Sequence, residues 1–165
     1  MSQYLLEPMG PSDQKAVIDI FNHYIENSFA AYPEQKVPYE FFGMFLEMCK
    51  NHSSVTVKDS YGTLLGFGML RPHNPMPAFS HTVEITYFIK PEFTGRGLGA
   101  QMLEYLTAEG KRHGVSIVLA SISSLNEGSI RFHKNHGFTE CGRFQGIAKK
   151  KGVFFDIVWM QKEIR

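Results

Sequence analysis

The stretch of residues 91–100, PEFTGRGLGA, places three glycines within five residues where an apolar run meets a helix-like run. Glycine destabilises both strands and helices. Three glycines at such a junction therefore indicate that the backbone adopts a conformation, or allows a close approach, that other residues would prevent. A helix N-terminus carries unpaired N–H groups and a partial positive charge, and glycines before it let an anion approach without a Cβ in the way. Together with the cation of Arg96, the alternating Gly95, Gly97 and Gly99 predict a phosphate or pyrophosphate site. A glycine-rich turn without a ligand is the alternative.

The segments on either side of this turn follow a mixed order of strand and helix patterns. Apolar runs predict strands at residues 4–9, 54–59, 62–70, 81–90 and 115–121, and two closing strands between 138 and 164 around the turn KKKG. Apolar residues at helical spacing predict helices at residues 11–27, 39–50, 100–112 and 126–136. The three prolines of residues 71–79 predict a loop. This order predicts an α/β (α+β mixed) fold with a mixed sheet and helices on its faces.

Capping residues predict where three of the helices begin or end. Ser12 is the expected N-cap of the first helix and Asn126 that of the fourth, while Gly137 is the expected C-cap of the fourth. His113 and Gly114 are expected to close the third helix. The basic run of residues 149–151 is expected to be a solvated turn.

Composition and charge exclude several classes of partner. A net charge of +1 over 165 residues gives no electrostatic argument for nucleic-acid binding, and no apolar run is long enough to span a bilayer. The two cysteines, Cys49 and Cys141, lack metal-ligand spacing and indicate a reducing compartment. His133 and His136 lie three apart, but no third ligand is evident, so no metal is expected. We therefore expect one domain over residues 1–165, without a signal peptide, in the cytoplasm.

The glycine-rich turn resembles the acetyl-CoA signature of the GNAT superfamily of N-acetyltransferases, Gln/Arg-x-x-Gly-x-Gly/Ala, with Thr94 in the first position. The Walker pattern is absent, and the glycine spacing does not fit the Rossmann fingerprint. The segments SHTVEITYFIKPEFTGRGLG and NEGSIRFHKNHGFTECGRF are similar to the phosphinothricin (methionine sulfoximine) acetyltransferase branch of that superfamily. So are the opening DIFNHYIENSFAAY and the ending KKGVFFDIVWMQ. The resemblance therefore covers essentially the whole chain in the expected order.

This resemblance implies a GNAT fold, whose mostly antiparallel sheet is flanked by about four helices. It implies transfer of an acetyl group from acetyl-CoA to the primary amine of a small molecule, by direct attack in a ternary complex, and a homodimer. The acceptor class that it suggests is an amino-acid analogue such as phosphinothricin or methionine sulfoximine. Two alternatives stay open: a protein or peptide N-acetyltransferase, and a non-catalytic module that binds CoA as a sensor.

Two residues are the candidates for proton transfer. Glu84 is a carboxylate in an otherwise apolar strand, on the face opposite Val83 and Ile85, and partial burial would raise its pKa toward the useful range. In the resembled branch a glutamate at this place is the base, acting directly or through water. His133 occupies the place where most GNAT enzymes carry a tyrosine acid, and an imidazole there could protonate the leaving thiolate. A glutamate in a structural ion pair and a structurally bonded helix histidine are the alternatives.

The resemblance also implies the residues that bind acetyl-CoA. A bulge is expected to splay the strand of Tyr87, Phe88 and Ile89 from the next one, so that the pantetheine arm pairs with its backbone. The full expected set is Tyr87, Phe88, Ile89, Thr94, Gly95, Arg96, Gly97, Leu98, Gly99, Asn126 and Lys134.

The expected acceptor residues are Phe29, Tyr32, Arg71 and Asn74. The resembled enzymes usually carry arginine in place of Asn74, and that arginine is expected to hold the carboxylate of the amino acid. Asparagine does not supply this charge, and Arg71, three residues earlier, is the candidate replacement. The aromatic rings of Phe29 and Tyr32, with Phe41 and Phe42, favour an apolar or aromatic amine, although ordinary core packing explains them equally well.

Overall fold

The computed structural model describes residues 3–165, which form a seven-stranded sheet and four α-helices. The strands are β1 (Leu5–Glu7), β2 (Ser54–Lys58), β3 (Leu64–Pro72), β4 (Thr82–Ile89), β5 (Ile117–Ser123), β6 (Thr139–Lys150) and β7 (Val153–Glu163). The helices are α1 (Gln14–Asn27), α2 (Phe42–Cys49), α3 (Leu98–Arg112) and α4 (Glu127–Asn135). The strand order is β1-β2-β3-β4-β5-β7-β6, and every pair is antiparallel except β4–β5. The predicted mixed fold with four helices is confirmed.

Two apolar clusters cover the two faces of the sheet. One contains Val83 and Ile85 of β4 together with α3, and Tyr87 and Ile89 pack against it. The other contains α1, α2 and the middle of β3, with Phe88 packed against it. Because β3 is buried on both faces, it reads as a continuous apolar run instead of an alternating one. The alternation predicted for β4 is confirmed, and it leaves Glu84 on the face opposite Val83.

Strands β4 and β5 separate soon after they begin to pair. Their parallel ladder covers only residues 82–84 against 117–119. The pairing of β4 with β3 keeps one register from Val83 to Ile89. The bulge expected in β4 is therefore wrong, because the strand leaves β5 without interrupting its ladder with β3. The result is an opening in the sheet beside Ile85–Ile89.

The first helix begins later than Ser12 predicted. A short 3₁₀ turn occupies Pro11–Asp13, and α1 follows at Gln14. Asp13 Oδ2 accepts the Gly10 N–H at 2.8 Å and so caps the 3₁₀ turn, while no side chain caps α1 itself. Pro11 suits the first position of such a turn, since its missing N–H has no partner to lose there. The Ser12 prediction is wrong because the turn places Ser12 inside it, where it cannot cap α1.

The ends of α3 and α4 agree with the sequence. Asn126 caps α4, and its Oδ1 accepts the Ser129 N–H at 3.2 Å. Gly137 follows the last turn of α4 with a φ of +88°, and Gly114 follows α3 with a φ of +84°. A left-handed glycine just past a helix end is the usual way to satisfy its last carbonyls.

The basic run at the β6–β7 turn is only partly solvated. Lys151 and Gly152 form the turn, with φ values of +51° and +77°. Lys150 is 1% exposed, and its Nζ donates to the carbonyls of Ile25, Ser28 and Ala31. The prediction of a solvated turn is therefore wrong for Lys150, because distant carbonyls replace water around its ammonium group.

None of the helices formed by residues 3–165 is long and apolar enough to cross a membrane.

Candidate active site

A cavity of about 940 Å³ lies where β4 leaves β5. It is bounded by β4 and β5, by the glycine-rich turn with the first residues of α3, by α4 and by the segment after α1. The lining residues used below are Tyr87, Phe88, Ile89, Thr94, Gly95, Gly97, Leu98, Gly99, Asn126, His133, Tyr32 and Arg71. A volume of this size suits a small-molecule ligand.

The glycine-rich turn meets the cavity through backbone atoms. Gly95 and Gly97 have φ values of +74° and +81°, and a Cβ built on either would meet nothing within 4 Å. Left-handed backbone, and not crowding, is therefore what requires glycine at both positions. Gly99 differs, because a Cβ there would lie 3.4 Å from two carbons of the Phe132 ring.

The turn leaves the start of α3 open to the cavity. Gly97 is the N-cap of α3, and its carbonyl accepts the Gln101 N–H at 3.1 Å. The first N–H groups of a helix have no acceptor within it. In α3 these belong to Leu98, Gly99 and Ala100, which all line the cavity. The helix dipole adds partial positive charge at the same place, so the arrangement can bind an anion such as a phosphate.

Three side chains predicted beside the cofactor take different positions. Thr94 lines the cavity, but its Oγ1 donates to the Pro91 carbonyl at 2.8 Å. Arg96 is exposed and lies over the Phe93 ring, with 4.9 Å between its Cζ and the ring centroid. Lys134 is exposed on α4, and neither it nor Arg96 lines the cavity. The anion-binding capacity of this region therefore rests mainly on N–H groups.

Tyr87 and His133 form a hydrogen-bonded pair at the cavity wall. The Tyr87 hydroxyl lies 2.6 Å from His133 Nε2, and His133 Nδ1 lies 2.7 Å from the Ser129 carbonyl oxygen. A carbonyl only accepts, so Nδ1 carries the proton and Nε2 accepts the Tyr87 O–H. Burial lowers the pKa of His133, although its bond to the Ser129 carbonyl raises it, and burial raises the pKa of Tyr87. The imidazole is thus held neutral and the phenol protonated.

Glu84 is fixed by two cationic or polar partners. Its Oε1 lies 3.1 Å from Arg71 Nη2, and its Oε2 lies 3.1 Å from His73 Nδ1. Arg71 and Glu84 face each other directly across β3 and β4. Arg71 lines the cavity, whereas Glu84 and His73 do not. The carboxylate is therefore linked to the cavity through the guanidinium group.

The sequence missed two of these partners. His73 sits in a loop with no recognisable motif, although its place two residues after Arg71 could have suggested it. The contact of the Tyr87 hydroxyl was not predicted, because only the backbone of its apolar strand was considered. A buried tyrosine hydroxyl usually has a hydrogen-bond partner, and this rule could have suggested the contact. The remaining acceptor predictions have different outcomes: some of these residues line the cavity and others do not. Tyr32 lines the cavity, and burial raises the pKa of its phenol.

Phe29 and Asn74 lie outside the cavity lining. The Phe29 ring packs on Phe155 of β7, with 5.6 Å between ring centroids. Asn74 Oδ1 accepts the Met76 N–H at 2.9 Å within its own loop. Of the other two rings, Phe41 lines the cavity and Phe42 is buried in the core. The structure thus brings Tyr32 and Arg71 to one cavity and leaves Asn74 turned away from it.

Residues 3–165 contain no group of three or more His, Cys, Asp or Glu side chains that could hold a metal ion. His133 and His136 each direct Nδ1 at a backbone carbonyl of their own helix, those of Ser129 and Phe132.

The family model described as acetyltransferase (GNAT) family matches residues 17–138. The chain is 27% identical to the L-methionine sulfoximine/L-methionine sulfone acetyltransferase of Salmonella typhimurium, over 93% of this chain and 90% of the relative. It is 28% identical to the phosphinothricin N-acetyltransferase of Streptomyces viridochromogenes, over 96% of this chain and 86% of the relative. The yncA structure from Salmonella typhimurium, solved with its cofactor acetyl-CoA, superposes with a TM-score of 0.92 at 25% identity. That superposition covers 99% of this chain and 95% of the other.

Proposed function

Since this chain belongs to the acetyltransferase (GNAT) family and is an acetyl-CoA-dependent N-acetyltransferase, we propose that its acceptor is the primary amine of a small amino-acid-like molecule. The family prediction made from the sequence is thereby confirmed. The observation that carries the proposal is the guanidinium group of Arg71 in the wall of a largely apolar cavity. A guanidinium fork matches a carboxylate in shape and charge. The two relatives bear the names of acceptors that are themselves amino-acid analogues.

The groups proposed to hold acetyl-CoA form the donor half of the cavity: the β4 backbone of residues 87–89, the turn of residues 94–97, the first turn of α3, and Asn126. Open space beside Gly95 and Gly97 leaves room for a diphosphate near the unpaired N–H groups of α3. The β4 edge that faces away from β3 after Glu84 is free of β5, so it can pair with an extended amide-containing arm. Bound acetyl-CoA supplies the thioester whose acetyl group is transferred.

Glu84 is the proposed base of the acceptor half, which we define as Tyr32 and Arg71 in the cavity wall together with Glu84 and its partner His73, which do not line the cavity. Its carboxylate is 12% exposed at the side chain and is held on both oxygens. Because Arg71 and not Glu84 lines the cavity, proton removal through an intervening water fits better than direct contact with the amine.

For His133 the geometry favours a positioning role over that of the acid. Its Nε2 already accepts the Tyr87 O–H, so His133 must take up a proton there before it can donate one. The lowered pKa of His133 opposes that step near neutral pH. We propose that His133 holds the Tyr87 hydroxyl in place at the cavity wall. Proton donation by His133 stays a prediction. If His133 is the acid, the pH profile of kcat should lose its alkaline limb in His133→Gln.

A homodimer is proposed to form through the β6–β7 hairpin. Four large apolar side chains of this hairpin are exposed: Phe144 at 55%, Ile147 at 60%, Val153 at 43% and Phe154 at 65%. β6 is also an edge strand of twelve residues, and long apolar edges are typically covered by a partner. Sedimentation of Ile147→Lys/Phe154→Lys is expected to give a monomer where the parent chain gives a dimer. A monomeric parent chain would exclude the proposal.

We also propose that residues 1–165 act as one domain in the cytoplasm. A single continuous sheet carries both halves of the cavity, which supports one folding unit. Both cysteines are free, Cys49 buried and Cys141 exposed, as suits a reducing compartment. A single cooperative unfolding transition and cell fractionation test the two statements.

The experiment for the function is acetyl-CoA-dependent thiol release across a panel of amines. The panel holds methionine sulfoximine, methionine sulfone, phosphinothricin, their decarboxylated counterparts, polyamines, arylamines and short peptides. Turnover of the carboxylate-bearing amines and little turnover of their decarboxylated counterparts is the expected result. Turnover confined to peptides would favour a protein acceptor. Silence across the panel with acetyl-CoA still bound would favour a sensor module.

A further inference from the structure

Lys150 is a fully buried cation far from the proton-transfer residues in sequence. It ends β6 and is 1% exposed. Its Nζ donates to the carbonyls of Ile25 at 2.6 Å, Ser28 at 2.7 Å and Ala31 at 2.6 Å. An ammonium group has three N–H donors, so all of them are used. A buried ammonium group that donates all of its hydrogen bonds to backbone carbonyls holds those carbonyls in place.

The Ile25 carbonyl lies in the last turn of α1, and the carbonyls of Ser28 and Ala31 lie in the segment that follows it. The last carbonyls of a helix have no partner within it, and they form the negative end of the helix dipole. The last turn of α1 contains no basic residue, and the residue after it, Ser28, is extended and not a left-handed glycine. Lys150, together with Lys151, whose Nζ donates to the Glu26 carbonyl, therefore supplies the cationic charge that the sequence of α1 lacks.

The segment fixed in this way is one wall of the cavity. Ala30, Ala31, Tyr32 and Pro33 follow α1 directly and line the cavity. The hairpin also contacts the same segment through Phe155, on which the rings of Phe29 and Tyr32 pack, and through the Lys151 N–H, which donates to Glu34 Oε1 at 2.8 Å. The position of Tyr32 beside the acceptor is thus set from the hairpin and not from α1 alone.

We infer that Lys150 is a positioning residue for the acceptor, which fixes the wall of residues 30–33 by tying the end of α1 to the β6–β7 hairpin. This inference rests on the proposed function, because that function supplies the amine substrate that the wall of residues 30–33 would contact. The donor half does not depend on this tie, since the glycine-rich turn, α3 and Asn126 make no bond to Lys150. Loss of the lysine therefore affects the two substrates differently.

The test compares Lys150→Met with Lys149→Met. Methionine keeps most of the length of the buried side chain and removes its donors, while Lys149, on the same strand, is exposed and lies over the Phe154 ring. In Lys150→Met we expect the KM of the amine to rise about tenfold or more, with the Kd of acetyl-CoA changed less than about twofold. We also expect faster amide hydrogen exchange in residues 28–33 and unchanged exchange in α3. Lys149→Met should match the parent chain in all of these.

Equal loss of acetyl-CoA and amine binding in Lys150→Met would overturn the inference, as would unchanged exchange in residues 28–33. If Lys150→Met does not fold, Lys150→Arg takes its place, because a planar guanidinium cannot direct three donors at three converging carbonyls. A parent chain that turns over no amine would reject the proposed function, and hydrogen exchange would still decide whether Lys150 fixes this wall.

Discussion

The donor half and the acceptor half of the cavity are built in opposite ways. The donor half uses mainly backbone atoms of a single stretch, residues 87–99, with one added side chain from Asn126. The acceptor half uses side chains from three separate segments: Tyr32 after α1, Arg71 with His73 on and after β3, and Glu84 on β4. A backbone site tolerates substitution provided that the backbone conformation is kept. A side-chain site changes with each residue.

This difference explains why Thr94 and Asn74 have different consequences. Thr94 replaces the first residue of the acetyl-CoA signature, but the N–H groups of α3 remain in place at the cavity. Asn74 replaces an arginine that relatives are expected to carry, and it turns into its own loop. We therefore propose that Arg71, which lines the cavity, binds the carboxylate of the acceptor.

The largest expected effect is that of Glu84→Gln. If Glu84 is the base, kcat falls by about 10²- to 10⁴-fold, the usual contribution of such a group. The Kd of acetyl-CoA, measured by calorimetry, should stay within about twofold of the parent value, because no donor-half atom contacts this carboxylate. Glu92→Gln is the matched control, since Glu92 is an exposed carboxylate next to the glycine-rich turn. Unchanged kcat in Glu84→Gln would remove Glu84 from the mechanism.

A somewhat smaller effect is expected for Arg71→Leu. Loss of a charged hydrogen-bonding partner costs about 1.5–3 kcal/mol, so the KM of a carboxylate-bearing amine should rise by about 10- to 100-fold. The KM of an amine without a carboxylate should rise much less. This comparison separates binding of the substrate carboxylate by Arg71 from the contact of Arg71 with Glu84. Arg96→Leu is the control, because Arg96 is exposed outside the cavity. An equal rise in KM for both amines would mean that Arg71 acts only by holding Glu84 in place.

Gly97→Ala probes the donor half. At a φ of +81° an alanine costs about 1–2 kcal/mol, and relief of that strain turns the first N–H groups of α3 away. We expect the Kd of acetyl-CoA to rise about tenfold, with kcat at saturation nearly unchanged. Gly43→Ala controls for the substitution itself, since a Cβ at Gly43, inside α2, meets nothing within 4 Å. Unaltered acetyl-CoA affinity in Gly97→Ala would contradict the backbone site.

The smallest expected effect is on stability against pH. The folded pKa of His133 is lowered by burial, so the unfolded chain binds more protons once the pH falls to about 6.5, the ordinary histidine value. The free energy of unfolding should therefore fall as the pH drops from about 7.5 to about 5.5. Urea titrations should show a weaker fall in the free energy of unfolding for His133→Gln than for the parent chain. An identical fall in His133→Gln would mean that the imidazole is not held neutral.

The donor half could be predicted from the sequence because its information is local. The alternation of β4, the glycines of the turn and the cap Asn126 lie within short stretches, and each specifies its own backbone conformation. Outside the donor half a local pattern failed at Ser12, because it lies inside the 3₁₀ turn of Pro11–Asp13 that precedes α1. The bulge expected in β4 came from the resemblance and not from its residues, and β4 leaves β5 without it.

The acceptor half could be predicted only as candidate residues. Arg71 and Glu84 were recognised singly, but the ion pair between them depends on the register of two strands. Lys150 reaches carbonyls about 120 positions away along the chain, at sequence separations of 119 to 125. No local pattern encodes such a contact, so a run of three lysines reads as a solvated turn.

The most direct test of this division is the affinity for acetyl-CoA of the double variant Arg71→Leu/Glu84→Gln, measured by calorimetry beside its rate of thiol release. We expect a Kd within about twofold of the parent chain together with turnover too slow to measure. A Kd raised more than about tenfold would contradict this division, because the two halves of the cavity would then not be separate sites.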